Sequence, residues 1–297
     1  MAARETTMHQ SNRSALGTLC RVLFMGWVFS SPAVAQESPA ASTWGCTEME
    51  AFLHAAKVGR QHELPVGITL PTRATLDDGT RTHDAAFQIV DESKVTMTTT
   101  SGTELNFRDT WKFNVAGYEL AKLLELNMVP PYVEREVSGK PASLSWWVDG
   151  AMMELDRYKR KLNPPDIGSW NQQMYAVRVF HELIYEMDPN LSNLLITGDW
   201  QILMIDFTRA FRLMKEIRHP KDLVMCDRRL LTRMRALTPD VVQQKLGKWL
   251  KKEEGEAVVA RAGLIVKLFD EAVAKKGEAA VLYDLPRTSQ PCGSGLK

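Results

Sequence analysis

Asp188-Pro-Asn-Leu-Ser-Asn193 and Leu203-Met-Ile-Asp206-Phe-Thr-Arg-Ala-Phe211 decide how this 297-residue chain is read. Pro189 and Asn190 break the helical pattern that precedes them, so the first stretch is a loop. Residues 194–196 read as a short strand, Gly198-Asp199 as a tight turn, and residues 201–207 as a second, mostly apolar strand. The two carboxylates and the carboxamide of Asn193 are thereby gathered at the ends of one hairpin. Two acidic ends this close repel each other, so a cation between them is expected. Oxygen donors of this kind suit Mg²⁺ or Mn²⁺.

The spacing of Asp188, Asn193 and Asp206, with Phe207 behind the last, resembles the protein-kinase-like superfamily. There a catalytic Asp precedes a metal-binding Asn by five residues, and an Asp-Phe pair follows an intervening hairpin. The phrase Asp206-Phe-Thr-Arg-Ala-Phe211 is closer to the atypical branches: phosphatidylinositol 3- and 4-kinases, HipA-type kinases and secretory-pathway kinases. Glu186-Met187-Asp188 stands where a conventional kinase has His-Arg-Asp, and no Ala-Pro-Glu follows. The resemblance implies an α+β, two-lobed fold: a small β-rich lobe with one helix, a hinge, and a mainly helical large lobe. It implies Asp188 as catalytic base, Asn193 and Asp206 as metal ligands, and ATP with Mg²⁺ or Mn²⁺ as cofactors.

Outward from that centre, residues 85–90 read as a strand whose alternation puts Ala86, Gln88 and Val90 on one face. By resemblance this strand carries the phosphate-binding Lys, and Gln88 occupies its place. A helix over roughly residues 108–126 would carry the partner Glu, and Asn114 stands there, sharing a face with Gly117, Tyr118 and Ala121. Two buried amides can satisfy each other, so Gln88 and Asn114 are expected to pair. The exchange removes a cation that would face phosphate, and Lys94, Arg108 and Lys112 are the nearby replacements. The family's Gly-rich loop is missing, because Gly67 stands alone; Thr69 or Arg73 would then reach phosphate. Trp147 and Val148 fall where the resemblance puts the hinge, with backbone groups toward adenine. For Trp146 and Trp147, one core and one surface aromatic is an equal reading.

The remaining chain fits the same plan. Residues 47–58 have helical spacing, Asp77-Asp-Gly79 marks a hairpin, and residues 132–137 and 142–148 alternate around Ser138-Gly-Lys140. Beyond Gly150 the pattern turns helical, with a long helix over residues 170–185. His181 falls in its inner stripe and reads as a core histidine. Residues 36–150 and 151–285 are the expected lobes. A tail over 286–297 is expected to be disordered.

Composition bounds the partners. A formal charge of +1 gives no basic field for nucleic acid. Arg4, Arg13 and Arg21 precede an apolar run at residues 22–29, and small residues at 31–35 follow, so residues 1–35 read as a signal peptide directing export. No later segment is long enough to span a bilayer. Cys46, Cys226 and Cys292 show no metal-type spacing; a Cys46–Cys226 disulfide and three unpaired thiols both stay open. Three classes of function remain: a phosphotransferase acting on protein or a small molecule, a silent kinase-like module that binds nucleotide or a partner, and an unrelated fold with other metal chemistry.

Overall fold

The computed structural model describes residues 44–64, 71–99 and 102–286. The expected signal peptide, Gly67, Thr69, Cys292 and all of the expected tail beyond residue 286 lie outside them. The element order is α1 (Cys46–Ala55), β1 (Lys57–Glu63), β2 (Thr72–Asp77), β3 (Thr82–Gln88), β4 (Asp91–Thr99), β5 (Gly102–Thr110), α2 (Lys112–Leu123), β6 (Tyr132–Val137) and β7 (Lys140–Trp146). After it come β8 (Met152–Met153), α3 (Glu154–Lys159), α4 (Ile167–Ile184), β9 (Leu194–Ile196), β10 (Ile202–Met204), β11 (Cys226–Asp227), α5 (Arg228–Arg235), α6 (Pro239–Leu246), α7 (Lys252–Lys276) and β12 (Leu282–Tyr283).

The first part of the chain forms a five-stranded sheet in the order β1-β2-β3-β7-β6, with every neighbouring pair antiparallel. Its β2–β3 turn closes through Asp78, whose side chain accepts the N–H groups of Thr80 and Arg81 at 2.8 Å each. Gly79 takes φ of +89° there, a conformation only glycine adopts without strain. α1 lays Phe52 and Leu53 on this sheet, against Leu76 and Leu144, and closes a first apolar cluster.

β4 and β5 form a separate two-stranded ribbon between β3 and α2, in place of the helical start expected at Arg108. The second and larger cluster runs from α2 through α4 to α7. Phe113, Tyr118 and Leu120 of α2 are buried in it with Phe180, Phe207 and Phe211. The helix expected in the small lobe packs on β6 and β7 of the sheet and also joins the larger cluster of the helical part. Local caps set the helical boundaries: Asp166 accepts from Ser169 N–H at 3.1 Å before α4, and Asp227 from Leu230 N–H at 2.9 Å before α5. Thr238 with Pro239 starts α6 in the same way.

The thiol expectation is corrected in part. Cys46 is disulfide-bonded, whereas Cys226 is a free thiol buried in the larger cluster, so the two are not joined. No helix among the described residues is long and apolar enough to cross a membrane.

Candidate functional site

A cavity of about 970 Å³ lies between the five-stranded sheet and the β9–β10 hairpin. That is the size class of a small-molecule or cofactor site. It brings together Gln88, Trp147, Val148, Asp188, Asn193 and Asp206, all expected from the sequence.

Asp188 is presented by a loop that leaves α4 through Tyr185, whose left-handed φ of +54° ends the helix. The Asp188 carbonyl accepts from Asn190 N–H at 2.8 Å and from the Asn193 side-chain amide at 3.3 Å. Asn190 in turn accepts from Ser192 N–H at 2.9 Å. Asn193 then begins the hairpin, its carbonyl accepting from Ile205 N–H at 2.9 Å. The two strands pair antiparallel with Met204 opposite Leu194 and Ile202 opposite Ile196, which puts Asn193 and Asp206 at the same end. Asp188 is exposed, whereas Asn193 and Asp206 are half-buried.

Asp206 takes φ of +60°, an uncommon conformation for a non-glycine residue and one that clusters at functional sites. Its backbone N–H donates to the Tyr132 hydroxyl at 3.3 Å, and its Oδ1 accepts from Gln88 Nε2 at 3.3 Å. Desolvation raises its pKa; hydrogen bonds from Gln88 and Thr208 oppose the rise, and the Asp188 charge adds to it.

Gln88 and Asn114 meet as expected, with Asn114 Nδ2 donating to Gln88 Oε1. The same Nδ2 reaches Ser143 Oγ at 3.2 Å, and Asn114 Oδ1 accepts from Phe207 N–H at 2.7 Å. The amide pair thus does more than satisfy itself: it fixes the two residues at the heart of the Asp206 turn. Position 114 lies on α2 itself (Lys112–Leu123), which begins four residues later than expected.

Of the three expected replacement cations, two are committed elsewhere. Arg108 pairs with Glu254 at 2.5 Å and Lys112 with Asp91 at 2.8 Å. Lys94 lines the cavity, paired with Glu92 at 2.9 Å. Arg73 pairs with Asp84 and lies 4.1 Å over the Trp147 ring. Trp146 is a buried core residue stacked on His83 at 3.6 Å, while Trp147 is half-buried against the cavity. His181 is half-buried on α4, where desolvation lowers its pKa to about 4 and keeps the ring neutral.

Two further carboxylates face the cavity that the sequence reading did not single out. Glu186 is 4% exposed; Oε1 accepts from Asp188 N–H at 2.9 Å, and Oε2 is buried with no hydrogen-bond partner among the described residues. Burial first, then the charges of Asp206 and Asp188, raise its pKa to about 7. Asp109 is raised by burial and by Asp206 as well, and its Oδ1 is also buried without a partner among the described residues. Glu186 had a positional clue, two residues before Asp188; Asp109 had none, because it fell inside the helix expected from residue 108 and lies instead on β5.

No cluster of three or more His, Cys, Asp or Glu gathers as a metal site among the described residues. The Asp206 carboxylate and the Asn193 amide nevertheless fit Mg²⁺, which keeps several waters and commonly takes one or two protein carboxylates plus substrate phosphates. The desolvated, mutually repelling acids support that fit.

No protein-family model and no curated protein matches this chain. Among solved structures, the crystal structure of the Golgi casein kinase superposes with a TM-score of 0.58 over 82% of this chain and 79% of that one, at 12% identity. The Helicobacter pylori proinflammatory kinase CtkA covers 75% of this chain and 98% of that one at 8% identity, and its TM-score of 0.43 carries no weight. With a β-rich part, a helical part and the loop and hairpin of Asp188, Asn193 and Asp206 between them, the chain adopts the atypical protein-kinase-like fold.

Proposed function

We propose that this protein is an ATP- and divalent-metal-dependent phosphotransferase of the atypical kinase-like type. The observation that carries the reading is the convergence of Asp188, Asn193 and Asp206 on one cavity, with Asp206 held in a left-handed turn by Gln88, Tyr132 and Asn114-bound Phe207. Asn193 and Asp206 would hold Mg²⁺ or Mn²⁺, which when bound neutralises charge on the phosphates. Asp188 is exposed to solvent at the cavity mouth, as a base that meets an incoming hydroxyl must be. It takes the proton of that hydroxyl as the acceptor oxygen bonds to the γ-phosphorus, and the bond to the β–γ bridging oxygen breaks with ADP as leaving group. The Trp147 N–H is committed to the Asp84 carbonyl at 3.1 Å. Adenine would therefore meet the Trp147 carbonyl and the Val148 N–H. The acceptor is a hydroxyl of a protein or small molecule, and export through residues 1–35 belongs to the same proposal.

Gln88 in the lysine position favours a second reading, a silent kinase-like module that binds nucleotide without turnover. Calorimetry and phosphate-transfer assays on the purified protein separate the two. Asp206→Ala is expected to abolish Mg²⁺-dependent ATP binding while folding is retained. Asp188→Ala should keep binding and lose transfer by at least about a hundredfold, since a base acts only in the reacting step. Binding with equal background turnover in wild type and Asp188→Ala selects the silent module. Absence of both binding and turnover in the wild type rejects both readings.

A further inference from the structure

Phosphate binding in this cavity lacks the cation that Gln88 replaces, and the surrounding field makes that lack severe. Among the described residues, Glu92, Asp109, Asp156, Glu186, Asp188 and Asp206 line the cavity, against the two cationic residues Lys94 and Arg209. A polyphosphate entering such a field is repelled unless positive charge meets it directly. Lys94 is a weak candidate: its side chain is 47% exposed on β4, and its ammonium is matched by Glu92.

Arg209 is different. It stands three residues after Asp206, in a turn closed by Ala210 N–H on the Phe207 carbonyl at 2.9 Å. Its guanidinium lies 5.3 Å from the Phe107 ring centroid, which orients it. Nη2 meets Glu104 Oε2 at 2.5 Å, and Nε is buried with no hydrogen-bond partner among the described residues. Glu104 does not depend on Arg209 for its charge balance, because its other oxygen meets Arg212 Nη2 at 2.5 Å. One carboxylate therefore faces two guanidiniums. Arg212 is 4% exposed, whereas Arg209 is 24% exposed at the cavity wall. Of the two guanidiniums on Glu104, Arg209 is the one that lines the cavity. Arg209 lines the same cavity as Asp109, Asn193 and Asp206.

The geometry points to Arg209 as the phosphate-contacting residue of this site, leaving Glu104 to Arg212 and taking the terminal phosphates of a bound nucleoside triphosphate. This deepens the nucleotide reading above and rests on it. The planar fork of Arg209 offers paired donors to phosphate oxygens, which the amide of Gln88 cannot match in charge. No bond is made or broken in this step; a salt bridge is exchanged.

The test compares ATP with adenosine, each with Mg²⁺, by calorimetry on the full chain and its variants. Arg209→Met is expected to weaken ATP by roughly ten- to a hundredfold, the worth of charge-assisted hydrogen bonds. Adenosine, which has no phosphate, should bind Arg209→Met as it binds the wild type. Arg209→Lys keeps the charge without the fork and should fall between the two; it also stands in if Arg209→Met fails to fold. An unchanged ratio of ATP to adenosine affinity in the folded variants overturns the inference and leaves the nucleotide reading intact. A wild type that binds neither ligand rejects the nucleotide reading, and the role of Arg209 falls with it.

Discussion

Asn114 joins a strand, a helix and the Asp206 turn through one small side chain. Asn114→Leu would fill similar space but leave the buried Phe207 N–H without its acceptor. An unmet buried donor costs about 1–3 kcal/mol. The expected result is a lower urea midpoint with an unchanged slope; a midpoint equal to wild type would reject the bridging role. Gln88 and Asn114 were legible in the sequence because each is a polar residue on an otherwise apolar face. Glu186 was not, since its meaning comes from burial rather than spacing. Its folded pKa of about 7 lies above the ordinary 4.5. The folded state thus holds a proton the unfolded state has released, and the stabilisation this gives is complete below about pH 4.5 and gone above about pH 7. Across that window, in metal-free buffer, Glu186 should cost the wild type about 3 kcal/mol. Urea titrations of Glu186→Gln should lack that fall; parallel pH profiles for the two proteins would refute the burial argument.

Among the elements, the β9–β10 hairpin and α2 could be read in advance because their patterns are strict. Apolar residues at 202 and 204 answer those at 194 and 196, and Asn114 and Gly117 share a helical face. The β4–β5 ribbon escaped because β4, Asp-Glu-Ser-Lys-Val-Thr-Met-Thr-Thr, offers only Val95 and Met97 as apolar residues, and its side chains described at 91–96 are exposed. It is held by its partner strand and its anchors, Phe107 and the Glu104 ion contacts, which no local pattern announces. The exposed β1 and the two-residue β8, β11 and β12 are likewise defined by what they pair with. Gly117 shows what the α2 face is for. A Cβ at that position would sit 2.5 Å from Phe207 Cδ2, so only glycine lets the helix approach the ring behind Asp206. Gly117→Ala gains intrinsic helix propensity of about 1 kcal/mol, yet overpacking typically costs about 1–3 kcal/mol. The clash is expected to win, lowering the melting temperature and weakening Mg²⁺-dependent ATP binding together as Phe207 shifts Asp206. A more stable Gly117→Ala protein would show that the ring yields freely.

At the scale of the whole molecule, the ribbon ties the two parts of the fold together. Its end donates Thr110 N–H to the Thr208 carbonyl at 2.9 Å, Glu104 meets Arg209 and Arg212, and Arg108 reaches Glu254 at the start of α7. Arg108 and Glu254 are 13% and 4% exposed, so water screens neither well. Glu254 also accepts Lys251 N–H at 2.8 Å, which caps the helix. Burial raises the Glu254 pKa even with Arg108 beside it, because desolvation outweighs the attraction. Arg108→Met therefore leaves a carboxylate buried without its cation, a loss of about 3 kcal/mol near neutral pH. Glu254 would then be raised further, and as pH falls toward its folded pKa, protonation relieves the buried charge. The deficit relative to wild type should accordingly be smaller in mildly acidic than in neutral buffer. Adding Glu254→Gln should recover much of the loss, since the uncharged amide has no charge to strand. Hydrogen exchange of the ribbon amides should quicken in Arg108→Met and slow again in the double variant. A deficit that stays the same at both pH values would mean that Arg108 contributes by packing over the Phe113 ring, 4.8 Å away, rather than by holding the ribbon to α7 through charge.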